Sequence, residues 1–191
     1  MAAKLIPTPG QTVGPFFALG LDRPEWSDLT RNHPEGTRIV IAGRVLDGDG
    51  APVPDALIEL WQANAAGRYD HVADDQADKQ LDPNFLGYGR VATDAQGRFQ
   101  ITTIKPGPVP GRGNALQAPH INLAFFARGL LRQLHTRIYF ADEPGNAADP
   151  LLAAIDDHAA RQSLIARHGD GGTYRFDIIL QGEGETAFLD L

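Results

Sequence analysis

The sequence predicts an all-β protein: a β-sandwich with long loops, an extended N-terminal arm and one short helical segment near 150–166. Two observations support this fold class. The chain has 21 glycines and 14 prolines, and many of them separate short apolar runs, as turn residues separate strands. Several of those runs are β-branched or alternate between two faces, which is the period-two pattern of strands.

The predicted strands follow one another along the chain. RIVIAGRVL at 38–46 is rich in β-branched residues and ends at the turn residues DGDGAPVPD, which predict a hairpin. ALIELWQA at 56–63 alternates between two faces. GRVATDAQGRFQITTI predicts two short strands around a DAQG turn, and INLAFFA and LHTRIYFA predict a further pair linked by RGLLRQ. TYRFDIIL and TAFLDL close the chain around QGEGE.

The helical segment has a recognisable start. Asp149 is a good N-cap residue, Pro150 suits the first helical position, and LLAAIDDHAARQSLIAR has apolar residues at helical spacing. Gly169 and Gly171 are expected to end the helix.

Two segments lack a strand or helix pattern, the N-terminal arm 1–37 and the loop 70–88. Loops of this length in a compact domain are usually functional, interfacial or disordered. We therefore predict an arm at 1–37 that packs on a partner chain, and a single β-sandwich domain at 38–191.

Composition excludes several classes of function. The net charge is −7, whereas nucleic acids and anionic membranes attract basic surfaces, so neither is an expected partner. The absence of cysteine excludes disulfides and thiolate ligands and is consistent with a reducing compartment. Pro7 precedes any long apolar run, and no window approaches the ~20 apolar residues of a membrane span. The expected location is the cytoplasm.

The candidate chemistry centres on a histidine at the head of a predicted strand. His120 is followed two positions later by Asn122, which is half of a His-x-His metal pair on one strand face. Tyr69 could supply a second ligand, because a phenolate suits ferric iron. These two ligands alone would not retain Fe(III), and a lone histidine here is more commonly a hydrogen-bonded structural residue. The sequence has no Walker loop, no G-x-S-x-G elbow and no H-E-x-x-H motif.

Four motifs in order resemble one family. LWQANAAGRYDH, GYGRVATDAQGRF, TIKPGPVPG and APHINL together are similar to the intradiol ring-cleaving dioxygenases. The similarity extends over nearly the whole chain, from PTPGQTVGPFF to RFDIILQGEGETAFLDL. The resemblance implies a β-sandwich with long loops. It also implies that catalytic chains hold a non-haem Fe(III) by two tyrosinates, two histidines and a hydroxide.

Mapped onto the family motifs, the ligand set of this chain is incomplete. Tyr69 matches the first tyrosine and His120 the first histidine, whereas Val109 and Asn122 stand at the other two ligand positions. Gln117 stands where the resemblance implies a catalytic arginine, three residues before the first histidine. Valine has no lone pair, and a carboxamide is a poor substitute for imidazole at iron. We therefore expect that this chain binds no iron in its own domain.

The resemblance also implies a partner. In this family an α chain pairs with a β chain that binds the Fe(III), and the active site lies at their junction. The substrate there is protocatechuate, an aromatic carboxylate whose ring is opened by O2. The implied contribution of this chain consists of Thr12, Gly14 and Pro15 in the arm and Arg128 in FARG. Without the resemblance, Arg128 could equally be a solvated strand end, and TVGPFF an apolar staple for the arm.

Two other hypotheses remain open from the residues alone. The G-x-V-x-D…G-x-P-V-P-D-A segment at 43–56 also occurs in transthyretin-like modules, which would make the chain a non-catalytic binding or structural protein. A self-sufficient dioxygenase with an altered ligand set is the third. The KPGP and PHIN motifs and the GRY stretch favour the dioxygenase lineage.

Overall fold

The computed structural model describes residues 6–113 and 115–190, so residues 1–5 of the predicted arm and 114 and 191 of the predicted domain lie outside it. Within the described residues the strands are β1 (Arg38–Leu46), β2 (Leu57–Gln62), β3 (Tyr88–Ala92), β4 (Arg98–Ile104), β5 (Val109–Pro110), β6 (Leu116–Gln117), β7 (His120–Phe126), β8 (Leu134–Phe140), β9 (Ile165–His168), β10 (Thr173–Arg175) and β11 (Ile178–Ile179). The α-helices are α1 (Pro15–Leu21), α2 (Pro150–Ala154) and α3 (His158–Gln162), with 3-10 turns at Pro24–Ser27, Pro144–Ala148 and Asp170–Gly172.

The strands form a mixed sheet that curls into two layers. In the first layer β1 pairs antiparallel with β4 on one side, and parallel with β10 and β11 on the other. In the second layer β3, β2, β7 and β8 are antiparallel neighbours in that order. β9 joins the layers, because it pairs parallel with β8 and antiparallel with β10. The predicted sandwich-like all-β fold is confirmed.

The core lies between the two layers, and strand alternation decides which side chains enter it. On β7, Ile121, Leu123 and Phe125 are fully or almost fully buried in the core. His120 and Asn122 therefore share the opposite face of β7, because residues two apart on a strand point the same way. The core members from the other principal strands are Ile39, Ile41, Val45, Ile58, Leu60, Phe99, Ile101, Ile104, Ile138 and Phe140.

Most predicted β segments are present, although the described part of TAFLDL forms only an isolated bridge at Leu189, and two of the turns join different layers. After 38–46, Leu46 and Pro52 form an antiparallel bridge, and the chain then crosses to β2 in the other layer. The predicted hairpin turn is thus present in short form, since the Asp47 N–H donates to the Ala51 carbonyl and the Val53 N–H to the Val45 carbonyl, but the long antiparallel partner of β1 is β4. The DAQG turn likewise leads from β3 in one layer to β4 in the other.

The helical segment begins as predicted and then divides. The Asp149 side chain accepts hydrogen bonds from the first-turn N–H groups of α2, and Pro150 is the first helical residue. A second N-cap, Asp157, starts α3. Residues 165–168 then form β9, where Ala166 is fully buried and pairs with Phe140. Strand pairing in the core thus overrides the helical periodicity at this end.

The described part of the arm contains more regular structure than predicted. It forms α1 and a 3-10 turn, and then joins the sandwich where the Leu29 N–H donates to the Thr102 carbonyl at 2.9 Å. Phe17 in α1 packs on Phe126 with ring centroids 5.2 Å apart. Among the described residues, no helix has the length and apolar character needed to cross a membrane.

Candidate functional site

A cavity of about 320 Å³ opens beside the first residues of β7. It is bounded by β2, β7, β8, the loop after β2 and the β5–β6 hairpin. Four of the five residues that the family motifs single out around the ligand set, Tyr69, Val109, Gln117 and His120, line it. Asn122 adjoins them through its contact with the Tyr69 hydroxyl. The lining residues are Trp61, Tyr69, His71, Ala73, Asp74, Asp75, Gln76, Val109, Pro110, Gln117, His120 and Arg137.

Close backbone packing brings the GRY and KPGP motifs together at this cavity. Gly67 has a φ of +81°, and a Cβ at this position would lie 2.0 Å from the Pro108 carbonyl oxygen. Glycine is therefore required here for both conformation and space. Lys79 bridges the two segments, since its Nζ donates to the Gly67 carbonyl at 3.1 Å and to the Pro108 carbonyl at 2.7 Å.

Tyr69 is held as a neutral phenol. Its N–H donates to the Asp74 carboxylate at 2.7 Å, and its ring stacks on Trp61 at 5.6 Å with an interplanar angle of 15°. Burial raises the pKa of the Tyr69 hydroxyl above its ordinary value, although the charge of Arg137 opposes the shift. A phenol with a raised pKa keeps its proton at neutral pH.

His120 is held as a neutral imidazole. The residue is only 3% exposed, and Nδ1 lies 2.8 Å from the Ala118 carbonyl oxygen, to which it donates. Burial, and next the charge of Arg137, lower the pKa of His120 to about 4. The hydrogen bond of Nδ1 leaves the Nε2 lone pair for the cavity.

Arg137 is the site residue that sequence reasoning missed. It is the cross-strand partner of Asn122 in the β7–β8 ladder. Its Nε donates to Asn122 Oδ1 at 2.8 Å, and its Nη1 donates to Gln117 Oε1 at 2.7 Å. Asn122 in turn donates to the Tyr69 hydroxyl at 3.4 Å. The predicted β7–β8 pair contained the signal, but only the register shows that position 137 lies opposite position 122.

A buried carboxylate supports the guanidinium from behind. Arg137 Nη1 donates to the Tyr139 hydroxyl at 3.3 Å, and that hydroxyl donates to Asp149 Oδ1 at 3.0 Å. Asp149 is 0% exposed and also accepts from the Ala118 N–H at 2.8 Å. Burial raises the pKa of Tyr139 above its ordinary value, so this phenol also stays protonated. The Asp149 carboxylate therefore caps helix α2 and also connects, through the Tyr139 hydroxyl, to Arg137 in the cavity.

The side chains in this cavity do not fit a ferric ion. Tyr69 and His120 could each offer a donor atom, but Val109 has none, and Asn122 is occupied by Arg137 and Tyr69. A guanidinium that donates to these neighbours also places a positive charge where a cation would need anionic ligands. Residues 6–113 and 115–190 contain no cluster of three or more histidine or acidic side chains that would offer another metal site.

The residues predicted to face a partner lie elsewhere. Thr12 Oγ1 accepts from the Gly129 N–H at 2.7 Å, which ties the arm to the FARG turn. Gly14 is the N-cap of α1 and Pro15 its first residue. Arg128 pairs with Asp55 at 3.1 Å, and both side chains are about half exposed. This group lies beyond the far end of β7, ~20 Å of strand away from His120.

Comparison with known proteins identifies the lineage. The family profile described as Dioxygenase matches residues 14–182. The chain belongs to the intradiol dioxygenase family. The family resemblance expected from the sequence motifs is thereby confirmed, and the transthyretin-like alternative is set aside, since the profile covers far more than the 43–56 segment that suggested it.

Individual members of the family show how broadly the similarity extends. The chain is 42% identical to the protocatechuate 3,4-dioxygenase alpha chain of Pseudomonas putida, over 100% of both chains. It is 46% identical to the protocatechuate 3,4-dioxygenase beta chain of Burkholderia cepacia, over 83% of this chain and 73% of that one. Among solved structures, the dioxygenase domain of a Streptomyces dioxygenase–carbohydrate-binding fusion aligns with a TM-score of 0.62 at 28% identity, covering 93% of this chain and 99% of that one.

The buried His120 should make stability fall in mild acid. In the unfolded chain this imidazole takes up a proton near pH 6.5, whereas in the fold its pKa is about 4. The contribution of neutral His120 to the free energy of unfolding is therefore fully present above pH 6.5 and is lost as the pH falls to 4. This loss amounts to roughly 3 kcal/mol.

Urea denaturation at a series of pH values tests this. His120→Gln should show a shallower loss of stability between pH 6.5 and 4 than the unmodified protein. His158→Gln, which changes an exposed histidine, should retain the unmodified slope. Equal slopes for the unmodified protein and His120→Gln would contradict the assignment of His120 as a buried neutral group.

Proposed function

We propose that this chain is the α subunit of a protocatechuate 3,4-dioxygenase and has no iron site of its own. The reaction opens the protocatechuate ring between its two hydroxylated carbons with O2 and yields 3-carboxy-cis,cis-muconate. The observation that supports this role is the Arg137 network in place of a ligand set, in a chain that aligns from end to end with α chains of that enzyme. The Fe(III) belongs, in this proposal, to the protocatechuate 3,4-dioxygenase β chain that pairs with this one.

An apolar surface on the arm supports the pairing. Phe16 and Leu19 project from α1 with 83% and 75% of their surface exposed. Leu131, which follows the FARG turn closely in sequence, is also exposed. The backbone of Leu131 touches the arm, since a Cβ on Gly10 would lie 3.0 Å from its carbonyl oxygen. Large apolar side chains exposed in one region commonly mark a protein interface. We assign this surface, defined by Phe16, Leu19 and Leu131, to the β chain.

The same end of the molecule would contribute to the shared active site. Thr12 links the arm to the FARG turn, and Pro15 directs the chain into α1, so Thr12, Gly14, Pro15 and Arg128 form one group. The exposed ion pair between Arg128 and Asp55 stabilises the fold little, which leaves the guanidinium available for an anion. A planar guanidinium suits the carboxylate of protocatechuate.

Coexpression with a β chain tests the proposed function. The two chains should copurify in equal amounts, turn over protocatechuate, and contain iron in proportion to the β chain alone. A Phe16→Asp/Leu19→Asp variant should lose copurification, because it places two charges in the apolar interface. Val72→Asp, at a fully exposed position outside this surface, should not. If both chains purify separately, or the double variant assembles normally, the pairing surface is wrong.

Arg128→Ala should lower kcat/KM for protocatechuate by roughly tenfold, since a charge-assisted hydrogen bond to the substrate carboxylate is lost. Iron content should be unchanged. Arg98→Ala is the matched control, because Arg98 also forms an exposed ion pair, with Asp94, on the other layer of the sandwich. Equal steady-state kinetics for Arg128→Ala and Arg98→Ala would exclude a substrate-side role for Arg128.

We also propose the cytoplasm as the site of action. The supporting observation is the cysteine-free composition, which is consistent with a reducing compartment.

A further inference from the structure

The cavity beside β7 retains the features of a ligand pocket although its side chains do not suit iron. Its volume of about 320 Å³ lies near the lower end of the range for small-molecule sites. Trp61 and Tyr69 form a stacked aromatic pair on one side, and Val109 and Pro110 add apolar surface. The cavity therefore suits a small ligand with a flat apolar body.

Arg137 supplies this cavity with a positive charge that no carboxylate contacts directly. Its Nε and Nη1 donate only to neutral oxygens, those of Asn122, Gln117 and Tyr139. Among the described residues, Arg137 forms no ion pair, and its hydrogen bonds use Nε and Nη1 but not Nη2. The nearest carboxylate in this network, Asp149, lies behind the Tyr139 hydroxyl. A guanidinium held in this way has two N–H groups left for an anion.

Other charged and titratable groups limit the charge of that anion. Asp74 and Asp75 line the cavity, together with His71 and His120. The Asp74 carboxylate already accepts from the Tyr69 N–H and from Gln76, so part of its charge is engaged. Two carboxylates against one guanidinium disfavour a polyanion and leave a monocarboxylate as the best match.

A second polar contact is available across the cavity. His120 lines the cavity and donates from Nδ1 to the Ala118 carbonyl oxygen. Its Nε2 is therefore the ring atom that can accept a hydrogen bond from a ligand. The Tyr69 hydroxyl can donate as well as accept. A ligand with a hydroxyl on its ring would satisfy these groups.

We propose that this metal-free cavity is a binding site for a small aromatic monocarboxylate with a phenolic hydroxyl. Arg137 binds the carboxylate, the Trp61–Tyr69 side contacts the ring, and His120 accepts from the hydroxyl. This site lies in the α-type chain itself. It is beside the start of β7, whereas the Arg128 group lies beyond the end of that strand. It does not rest on the proposed function, since binding here requires neither iron nor a partner.

Equilibrium dialysis with 4-hydroxybenzoate tests the proposal. This probe has a single hydroxyl, so it lacks the vicinal pair that ring cleavage requires. The protein is used as it purifies, with its partner if the two copurify, and bound ligand is counted per copy of this chain. Arg137→Gln should remove one site, or weaken it by roughly 10- to 100-fold, through loss of a charge-assisted bond. Arg175→Gln, at an exposed arginine on the other layer, should leave the count unchanged.

Two further binding measurements keep the test decisive if Arg137→Gln folds poorly. Val109→Phe fills the cavity while retaining Arg137, and it should abolish the same site. The neutral analogue 4-hydroxybenzamide should bind at least about tenfold more weakly than the acid. The proposal is overturned if Val109→Phe keeps the full count, if the amide binds as tightly as the acid, or if equimolar phosphate displaces the probe.

Discussion

A triple variant, Val109→Tyr/Asn122→His/Arg137→Met, is expected to bind one additional ferric ion per copy of this chain. Val109 lines the cavity with Tyr69 and His120, so a tyrosine there adds an anionic oxygen donor at the same cavity. Histidine at 122 shares the strand face of His120, as a His-x-His pair requires. Removing Arg137 eliminates repulsion of about 4 kcal/mol per unit of ion charge at ~4 Å in a surface-like dielectric.

The measurement is iron content together with the visible absorption that a phenolate–Fe(III) bond produces. Val109→Phe/Asn122→His/Arg137→Met is the matched control, since it supplies the same ring without the oxygen and should bind no additional iron. Val109→Tyr/Asn122→His with Arg137 retained should bind iron much more weakly than the triple variant. If that double variant binds iron equally well, Arg137 does not exclude the metal. If the triple variant remains free of additional iron, the missing ligands are not the whole cause.

Asp149→Ala is expected to lower the free energy of unfolding by about 3–5 kcal/mol. The carboxylate is completely buried and accepts four described hydrogen bonds. The donors are the Ala118, Leu151 and Leu152 N–H groups and the Tyr139 hydroxyl. Alanine would leave all of them without this acceptor, at the point where α2, β8 and the segment before β7 meet.

Urea denaturation followed by circular dichroism measures this loss, with Asp157→Ala as the control. Asp157 is the N-cap of α3 and accepts from Ala159 and Ala160, but it is exposed, so its loss should cost only about 1 kcal/mol. Asp149→Asn should fall between the two, because its carbonyl oxygen can still cap the helix. Similar losses for both alanine variants would show that Asp149 is an ordinary cap. An Asp149→Ala protein that also loses 4-hydroxybenzoate binding would fit its link to Arg137 through Tyr139.

The ligand-set positions and the residues assigned to the partner's active site form two separate groups in this fold. Tyr69, Val109, Gln117 and His120 meet beside the start of β7, whereas Thr12, Gly14, Pro15 and Arg128 gather beyond its other end. In our proposals, one end of this chain contributes to the partner's site and the other end retains a metal-free pocket. The two experiments on Arg128 and Arg137 therefore report on different sites.

Much of the fold and part of the site could be predicted from sequence because the signals are local. The β-branched run at 38–46 and the alternation at 56–63 predicted β1 and β2, and Asp149 with Pro150 predicted the start of α2. Once the resemblance places Val109 and Asn122 at two ligand positions, side-chain chemistry is enough to predict an incomplete iron site, since Val109 has no donor atom whatever surrounds it. The motif order was sufficient for the family.

Long-range pairing was decided only by the tertiary structure. β2 lies in the other layer after the 47–55 turn, and residues 165–168 leave a helical pattern to pair with β8. Both outcomes depend on partner strands far away in sequence. The same is true of Arg137, whose place opposite Asn122 requires the β7–β8 register. A residue's own chemistry determines what it can no longer bind. The fold determines which distant charged residue lies beside it, as Arg137 lies beside Asn122. The reason is that register and burial are properties of pairs of segments rather than of either segment alone.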